Sequence, residues 1–503
     1  MTKLKLNILS LAPLLLSACS HNGGWLATVG PDYRAGQPPT AVRWQAPQPE
    51  GTSSIAHQGR QADLLQWWDR FQDPALSRLL AAAEKESASV ANALARIAQA
   101  RAKLVGADSG FMPTLDTNLV SKRSSASFGG PPFVWNQHQI GLQSSWEIDL
   151  FGGLARQQEA ARDQLESRNA SWHDARVAVA AEAADAYLGY RYCEIQAQLA
   201  KADADSRQAS AKLTEIASRN GFRPAADAAL SLASAAEGQK ALLQQQTQCE
   251  RSIKGLVAMT GLEETEMRTL LTDAPERLAQ LPSPPPFKID ALPANVLLQR
   301  PDVAAAERDM AEACANIGVE LAKRFPKLSL SGNITPTLQN MNGSAYMLAQ
   351  TWSIGPTLSL PLFDAGKKTA DVDAAQAQYE AAVSSFRGKV RIAAKEVEEA
   401  LVRLDSAAKR LPHARDADSG YRTNLRAAQT LHRAGLGSLL DVESARRSAL
   451  SAELAVKELE QERVSAWIAL YRAAGGSWEA RLVQVENPAP NSEHKEYFTG
   501  GNS

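Results

Sequence analysis

Long apolar runs are missing from most of this 503-residue sequence: beyond the first eighteen residues there is no apolar stretch of about 18, the length a transmembrane helix needs. Any part of the remainder that crosses a membrane must therefore be built from strands. Aromatic residues are scarce at 6%, and alanine fills long polar stretches, which points to slender helices instead of one large globular core. Charge of one sign is not in excess, with a net charge of −1, so the basic footprint of a nucleic-acid binder is absent. The seven histidines (His21, His57, His138, His173, His413, His432 and His494) have no zinc-ligand spacing, and no nucleophile motif accompanies them. An enzyme reading has little support, and no metal or other cofactor is expected. Seven methionines form no cluster, so a metal-conducting specialisation is not expected either.

What is present begins at the N-terminus. Lys3 and Lys5 accompany an apolar stretch from Leu4 to Leu16, followed by Ser17 and Ala18 before Cys19. This is the pattern of a secretory signal peptide over residues 1–18, too short and too broken by Asn7, Ser10 and Pro13 to span a bilayer. Leu16-Ser17-Ala18-Cys19 also resembles the bacterial lipobox, which implies a lipid carried covalently on Cys19 and a lipidated linker over residues 19–62. Ser20, in place of the aspartate that marks retention at the inner membrane, favours the outer membrane. With Cys19 lipidated, Cys193, Cys249 and Cys314 remain in an oxidising compartment, enough for one pair and one odd thiol.

The body of the chain reads as one unit written twice. Phe111-Met112-Pro113 is echoed by Arg324-Phe325-Pro326, Phe151 by Phe363, Gly221 with Asp227 by Gly435 with Asp441, and Gly261 by Gly475, at offsets of 213, 212, 214 and 214. Residues 63–280 form the first repeat and 293–478 the second; the proline-rich segment 281–292 lies between them and 479–503 forms a tail. Each repeat opens with a helical segment and continues into two alternating runs. In the clearest, Trp352, Ile354, Pro356, Leu358 and Leu360 oppose Ser353, Gly355, Thr357 and Ser359, the period-two pattern of a strand between lipid and water. Its counterpart sets Ile140, Leu142, Trp146 and Ile148 against Gln143, Ser145, Glu147 and Asp149. The strand pairs are expected at about 113–150 and 327–362. A periplasmic β-sandwich is the alternative, but four strands are too few for a sandwich or a closed barrel. A membrane sheet cannot keep open edges in hydrocarbon, so several copies must pool their strands, and three copies, giving twelve, is the smallest assembly that leaves a passage.

After each strand pair comes a long helical hairpin, about 154–261 and 366–475, turning at Gly221 and Gly435. Leu188, Ile195, Leu199, Ala202, Ser206, Ala209, Leu213 and Ile216 follow a three-four spacing that reads as a coiled-coil seam. Pro412 is expected to kink or break the second hairpin's first helix. Cys193 and Cys249 lie 28 residues before and after Gly221, at equal height in an antiparallel hairpin, so a disulfide between them is geometrically plausible. Two isolated buried cysteines are the alternative. The corresponding positions of the other repeat, Ala407 and Arg463, cannot copy the bond.

Arg300-Pro301-Asp302-Val303, followed by Ala306-Glu307, Ile317-Gly318, Phe325-Pro326 and Leu328, resembles the signature at the head of the second repeat of the outer-membrane factor family, the channel component of tripartite efflux pumps. Trp146 to Gly152 and Pro361 to Lys367 resemble its strand-to-helix junctions, and Trp67-Trp68 with Phe71, Asp73-Pro74 and Leu76 its opening segment. Together with the lipobox, these place the resemblance in the lipoprotein branch related to the nodulation-type efflux channels. It implies a mostly α-helical trimer: a twelve-stranded β-barrel in the outer membrane joined to a twelve-helix α-barrel in the periplasm. It also implies a passive, non-enzymatic exit duct for drugs or other small molecules. Its partners would be two further copies, a periplasmic adaptor and an inner-membrane transporter of RND or MFS type. A protein-secretion conduit is the alternative within the channel class, and a coiled-coil lipoprotein or adaptor the alternative outside it.

Gate residues follow from the resemblance. Asp227 and Asp441 match acidic positions near the family's periplasmic aperture, where threefold symmetry makes rings of carboxylates; the plainer reading is that each favours the first turn of its helix. Ser444 stands where a second aspartate is common, with Glu443 beside it. His432 and Gly437 occupy positions that brace the closed state in a relative, and His432, with an ordinary pKa of about 6.5, is a candidate pH sensor.

Overall fold

The computed structural model describes residues 23–36, 41, 43–48, 55–57, 64, 67–272, 281–282, 284, 286–289 and 293–476. Residues 1–22, and with them the signal segment and Cys19, lie outside that set.

The elements run in two matching series. A short strand β1 (Ile55–His57) precedes a 3-10 turn (Asp69–Phe71) and helix α1 (Pro74–Glu86). Asp73 caps α1 by accepting from the backbone N–H groups of Ala75 and Leu76, with Pro74 at the first helical position where its missing donor costs nothing. Helix α2 (Ala88–Ser109), strands β2 (Thr114–Ala126) and β3 (Phe133–Ile148), and helices α3 (Gly153–Arg219), α4 (Ala225–Thr260) and α5 (Glu264–Thr272) complete the first series. The second runs β4 (Phe287–Ile289), α6 (Pro293–Leu298), α7 (Pro301–Ala322), β5 (Lys327–Met341), β6 (Met347–Ser359), α8 (Lys367–Arg433) and α9 (Leu439–Ala473). Helices α3 and α8 have 67 residues each, about 100 Å at 1.5 Å per residue.

The chain divides into two compact units. One comprises residues up to Gly36, Arg96–Arg168 and Ala305–Phe386; the other comprises Gln37–Ala95, Asn169–Ala304 and the chain from Arg387. The first holds an antiparallel sheet in the order β2-β3-β5-β6, so the strand pairs of the two repeats meet at β3 and β5. The register sets Leu142 opposite Ile334, Trp146 opposite Leu330 and Leu330 opposite Pro356, giving one apolar face; Gln143 opposite Asn333 and Ser145 opposite Ser331 lie on the other. Leu115, Leu119, Trp352, Ile354 and Leu358 are 64–79% exposed, an apolar surface that none of the described residues covers. Among the described residues, β2 and β6 are the edges and have no strand partner on their outer sides. Also in this unit, buried Arg156 donates to the carbonyl oxygens of Val29 and Gly30 and pairs with Asp32, fixing the N-terminal segment.

In the second unit β1 and β4 pair in parallel, and an aromatic core gathers around fully buried Trp67. Trp67 stacks on Tyr471 with ring centroids 4.6 Å apart and meets Phe71 and Phe287 edge-on. The opening segment, the strand after the linker and the end of α9 are thereby joined. Buried Asp73 also accepts from the Tyr187 hydroxyl and from Arg191.

Two expectations are corrected. Pro412 does not break its helix: α8 continues from Lys367 to Arg433. The hydrogen bond lost at Pro412 is offset by pairing with α9 on both flanks, Arg410 with Glu462 and Arg415 with Glu460, while Leu411 packs against Val456 and Leu459. The seam of α3 also changes face. Leu188 and Ile195 are buried, but further along the buried positions are Ala204, Arg207, Ala211 and Thr214, whereas Leu213 is 69% and Ile216 50% exposed. The three-four spacing is correct for a helix; the face that meets α4 carries Ala204 and Arg207, against which Gly238 of α4 lies.

Candidate channel gate

Each hairpin turns through a glycine in the left-handed region, Gly221 at φ 76° and Gly435 at φ 77°, where a Cβ is penalised. The closures are alike: Phe222 N–H donates to the Ala217 carbonyl at 2.8 Å and Leu436 N–H to the Leu431 carbonyl at 2.9 Å. Identical backbone chemistry at both tips follows from the repeat, and it leaves Phe222 and Leu436 exposed.

The gate candidates have separate surroundings. Asp227 sits in the first turn of α4 with its carboxylate 3.9 Å from Arg223. Arg223 also donates to the carbonyl oxygen of His432, at 3.5 Å, linking one tip to the other. The Nδ1 of His432 lies 3.1 Å from the Gly437 carbonyl oxygen, so the structure brings those two positions together. Asp441 is engaged in its own helix: it forms a capping box with Ser438, accepting from that residue's hydroxyl at 2.7 Å and backbone N–H at 3.1 Å. The Ser438 hydroxyl is the main reason its carboxyl is held below the usual range. Ser444 is exposed and its side chain joins none of these contacts; its carbonyl accepts from Ser448.

Sequence reasoning missed the strongest polar assembly near the tips. Arg207, fourteen residues before Gly221, donates to Asp203 at 2.6 Å and to the Ser234 hydroxyl at 3.0 Å. Ser234 in turn donates to Glu443 at 2.7 Å, and Arg446 closes the circuit by binding Glu443 and reaching Ser206 at 3.2 Å. Arg207, Glu443 and Arg446 are all at least nine-tenths buried. The cluster thus ties α3 and α4 of the first hairpin to α9 of the second with balanced charge. Gly238 makes room for it, since a Cβ there would lie 2.8 Å from the Arg207 side chain. A sequence signal existed only for Glu443, the residue beside Ser444; Arg207 and Arg446 read as solvated charges on amphipathic helices.

Higher in the first hairpin the structure joins Cys193 and Cys249 in a disulfide, Cα to Cα 5.5 Å, both residues buried. Cys314 is a buried free thiol. Among the described residues no group of three His, Cys, Asp or Glu is placed to hold a metal, and no helix is long and apolar enough to cross a membrane.

Comparison with known proteins bears on the same elements. The family model described as "Outer membrane efflux protein" matches residues 79–262 and 292–476, one match for each repeat. The chain belongs to this outer membrane efflux family. Outer membrane protein OprJ of Pseudomonas aeruginosa is 27% identical over 478 residues, covering 93% of this chain and 95% of the relative. Nodulation protein T of Rhizobium leguminosarum bv. viciae is 29% identical over 480 residues, covering 94% of this chain and 93% of the relative. Among solved structures, the outer-membrane channel OprN is 28% identical with a TM-score of 0.77, over 90% of this chain and 100% of that one. As a member of the efflux family the chain is an outer-membrane efflux component that extends into the periplasm, in a family of ducts, not enzymes. Its mostly helical fold with one membrane-type sheet is the fold of those channels.

Proposed function

We propose that three copies of this chain close a twelve-stranded β-barrel in the outer membrane, continued by a twelve-helix tunnel in the periplasm, and that the assembly is the passive exit duct of a tripartite pump for drugs or other small molecules. The observation that carries this is the sheet: four strands with an apolar face and two unpaired edges, β2 and β6. Unpaired backbone groups in hydrocarbon cost several kcal/mol each, so edge β6 of one copy must meet edge β2 of the next. The exposed Leu213 and Ile216 face of α3 gives a neighbouring copy apolar surface to cover. Transport energy comes from an inner-membrane transporter of RND or MFS type acting through a periplasmic adaptor, because the duct has no chemistry of its own. The lipid on Cys19 anchors the assembly to the membrane.

Gating is assigned to the tips. Asp227, Asp441 and His432 approach the axis in triplicate, and the Arg207–Glu443–Arg446 clasp holds the two hairpins of each copy together in the closed state. Heat-resistant trimers on denaturing gels, together with ion conductance of the purified protein in planar bilayers, are the expected results. A monomer without conductance would overturn the duct and favour a coiled-coil lipoprotein or adaptor.

A further inference from the structure

Toward the β2–β3 and β5–β6 turns the polar face of the sheet becomes aromatic. Over most of β3 the polar face carries Gln139, Gln143, Ser145 and Glu147, and the opposite face carries Ile140, Leu142 and Trp146. The β2–β3 pairing holds a single register from Thr114 opposite Ser145 to Ala126 opposite Phe133, and the β3–β5 pairing has the same offset at Ile148 opposite Leu328 and at Trp135 opposite Met341. No bulge intervenes, so alternation carries Phe133 and Trp135 onto the same face as Gln139. There the rings cluster: Phe128 from the turn lies 5.7 Å from Phe133, and Phe133 lies 6.0 Å from Trp135. Trp135 is opposite Met341, which is 50% exposed. The other face at this level is mixed: the Asn136 amide donates to Asn340 at 2.9 Å and Ser121 and His138 are 2.9 Å apart, while Leu338 stands opposite His138, Leu348 stands opposite Leu338, and the Tyr346 ring lies 5.8 Å from His138. An aromatic girdle that met lipid headgroups would occupy that second face. The rings of Phe133 and Trp135 do not.

We infer that Phe128, Phe133, Trp135 and Met341 form an apolar collar inside the outer mouth of the duct, and that this collar sets which solutes leave. The inference rests on the reading of the sheet as one third of a closed barrel. An apolar constriction in an aqueous passage sheds water and obstructs hydrated ions. Aromatic rings and a polarizable thioether still offer favourable contact to amphiphilic organic molecules. The collar thus favours aromatic amphiphiles over small hydrophilic ions at the exit, where the same face also carries Lys122, Ser124 and Gln137.

The test uses the full-length chain with Gln139→Cys in intact cells and a charged methanethiosulfonate reagent added outside. The remaining free thiol, Cys314, is buried. With the collar intact, labelling of position 139 is slow; adding Phe133→Ser and Trp135→Gln is expected to speed it about tenfold, which corresponds to ~1.4 kcal/mol. Trp135→Gln alone gives a smaller gain in the same direction, should the double variant fail to form heat-resistant trimers. Tetraphenylphosphonium is expected to slow labelling more than tetrabutylammonium in the intact collar and no more than it in the variant. Unchanged rates in both variants, or a Trp135→Cys thiol that reacts only with a lipid-soluble reagent, would overturn the collar while leaving the barrel. Failure of position 139 to react in any background would overturn the barrel reading, and the collar with it.

Discussion

The two hairpins descend from one repeated unit, yet they are held by different forces. The first is stapled covalently at Cys193 and Cys249, whereas the corresponding positions of the second, Ala407 and Arg463, allow no such bond. The second has Pro412 within its first helix and ion pairs across to α9, Arg410 with Glu462, Arg415 with Glu460 and Arg422 with Glu453, at partly exposed sites. Exposed pairs of this kind contribute about 0–1 kcal/mol each and weaken with salt. A covalent crosslink does neither. The comparison teaches that duplication conserved what the backbone requires, the glycine turns and helix lengths, while the restraints between helices diverged. The second hairpin is the limb with the more exchangeable restraints, and it is joined to the stapled one by the buried clasp.

Breaking the clasp is expected to have the largest effect. Arg207→Ala leaves Glu443 and Asp203 buried with less compensation and should cost about 3–5 kcal/mol, the usual cost of removing one partner of a buried pair. Thermal unfolding would measure it. Adding Glu443→Ala should restore part of the loss, and fully additive costs in that double-mutant cycle would deny the coupling between the hairpins. Removing the staple comes next. Cys193→Ser with Cys249→Ser is expected to lower stability by about 2–4 kcal/mol, while Arg410→Ala in the other hairpin costs under about 1 kcal/mol. Equal losses would erase the distinction between the limbs. Non-reducing mass mapping checks the bond directly, since two free thiols in periplasmic material would remove the premise.

Acid sensitivity sharpens the comparison further. His173 in α3 corresponds to exposed Arg387 in the second repeat, at the offset of 214. Burial, followed by the positive charge of Arg176, lowers His173 to about 4 from the ordinary 6.5. The unfolded chain therefore binds the proton first. Stability from the neutral ring is full above 6.5 and is lost as pH falls toward about 4. His173→Gln should flatten the melting temperature over that interval, and an unchanged slope would assign the acid response elsewhere.

Local chemistry made much of this readable in advance. The alternation around Trp352 and Ile354 and the constant glycine spacing are written in neighbouring residues, so the mostly helical class with a membrane-type sheet was legible. The clasp was not, because Arg207 and Glu443 are far apart in sequence and each resembles the solvated charge of an ordinary helix face. The missing break at Pro412 has a related reason. The proline's local penalty is real, but the pairs that hold α8 on either side of it come from α9.

The sequence by itself determined the doubling, the helical and extended periods, the turns that only glycine relieves and the family that shares them, since these depend on spacing along the chain. Tertiary structure alone decided which face of α3 is buried, that four charges and their hydroxyl partners share one buried site, and that Phe133 and Trp135 stand on the polar side of the sheet. Each of these depends on what approaches from elsewhere in the chain, and a periodic pattern contains the faces of a helix or strand without saying which neighbour each will meet.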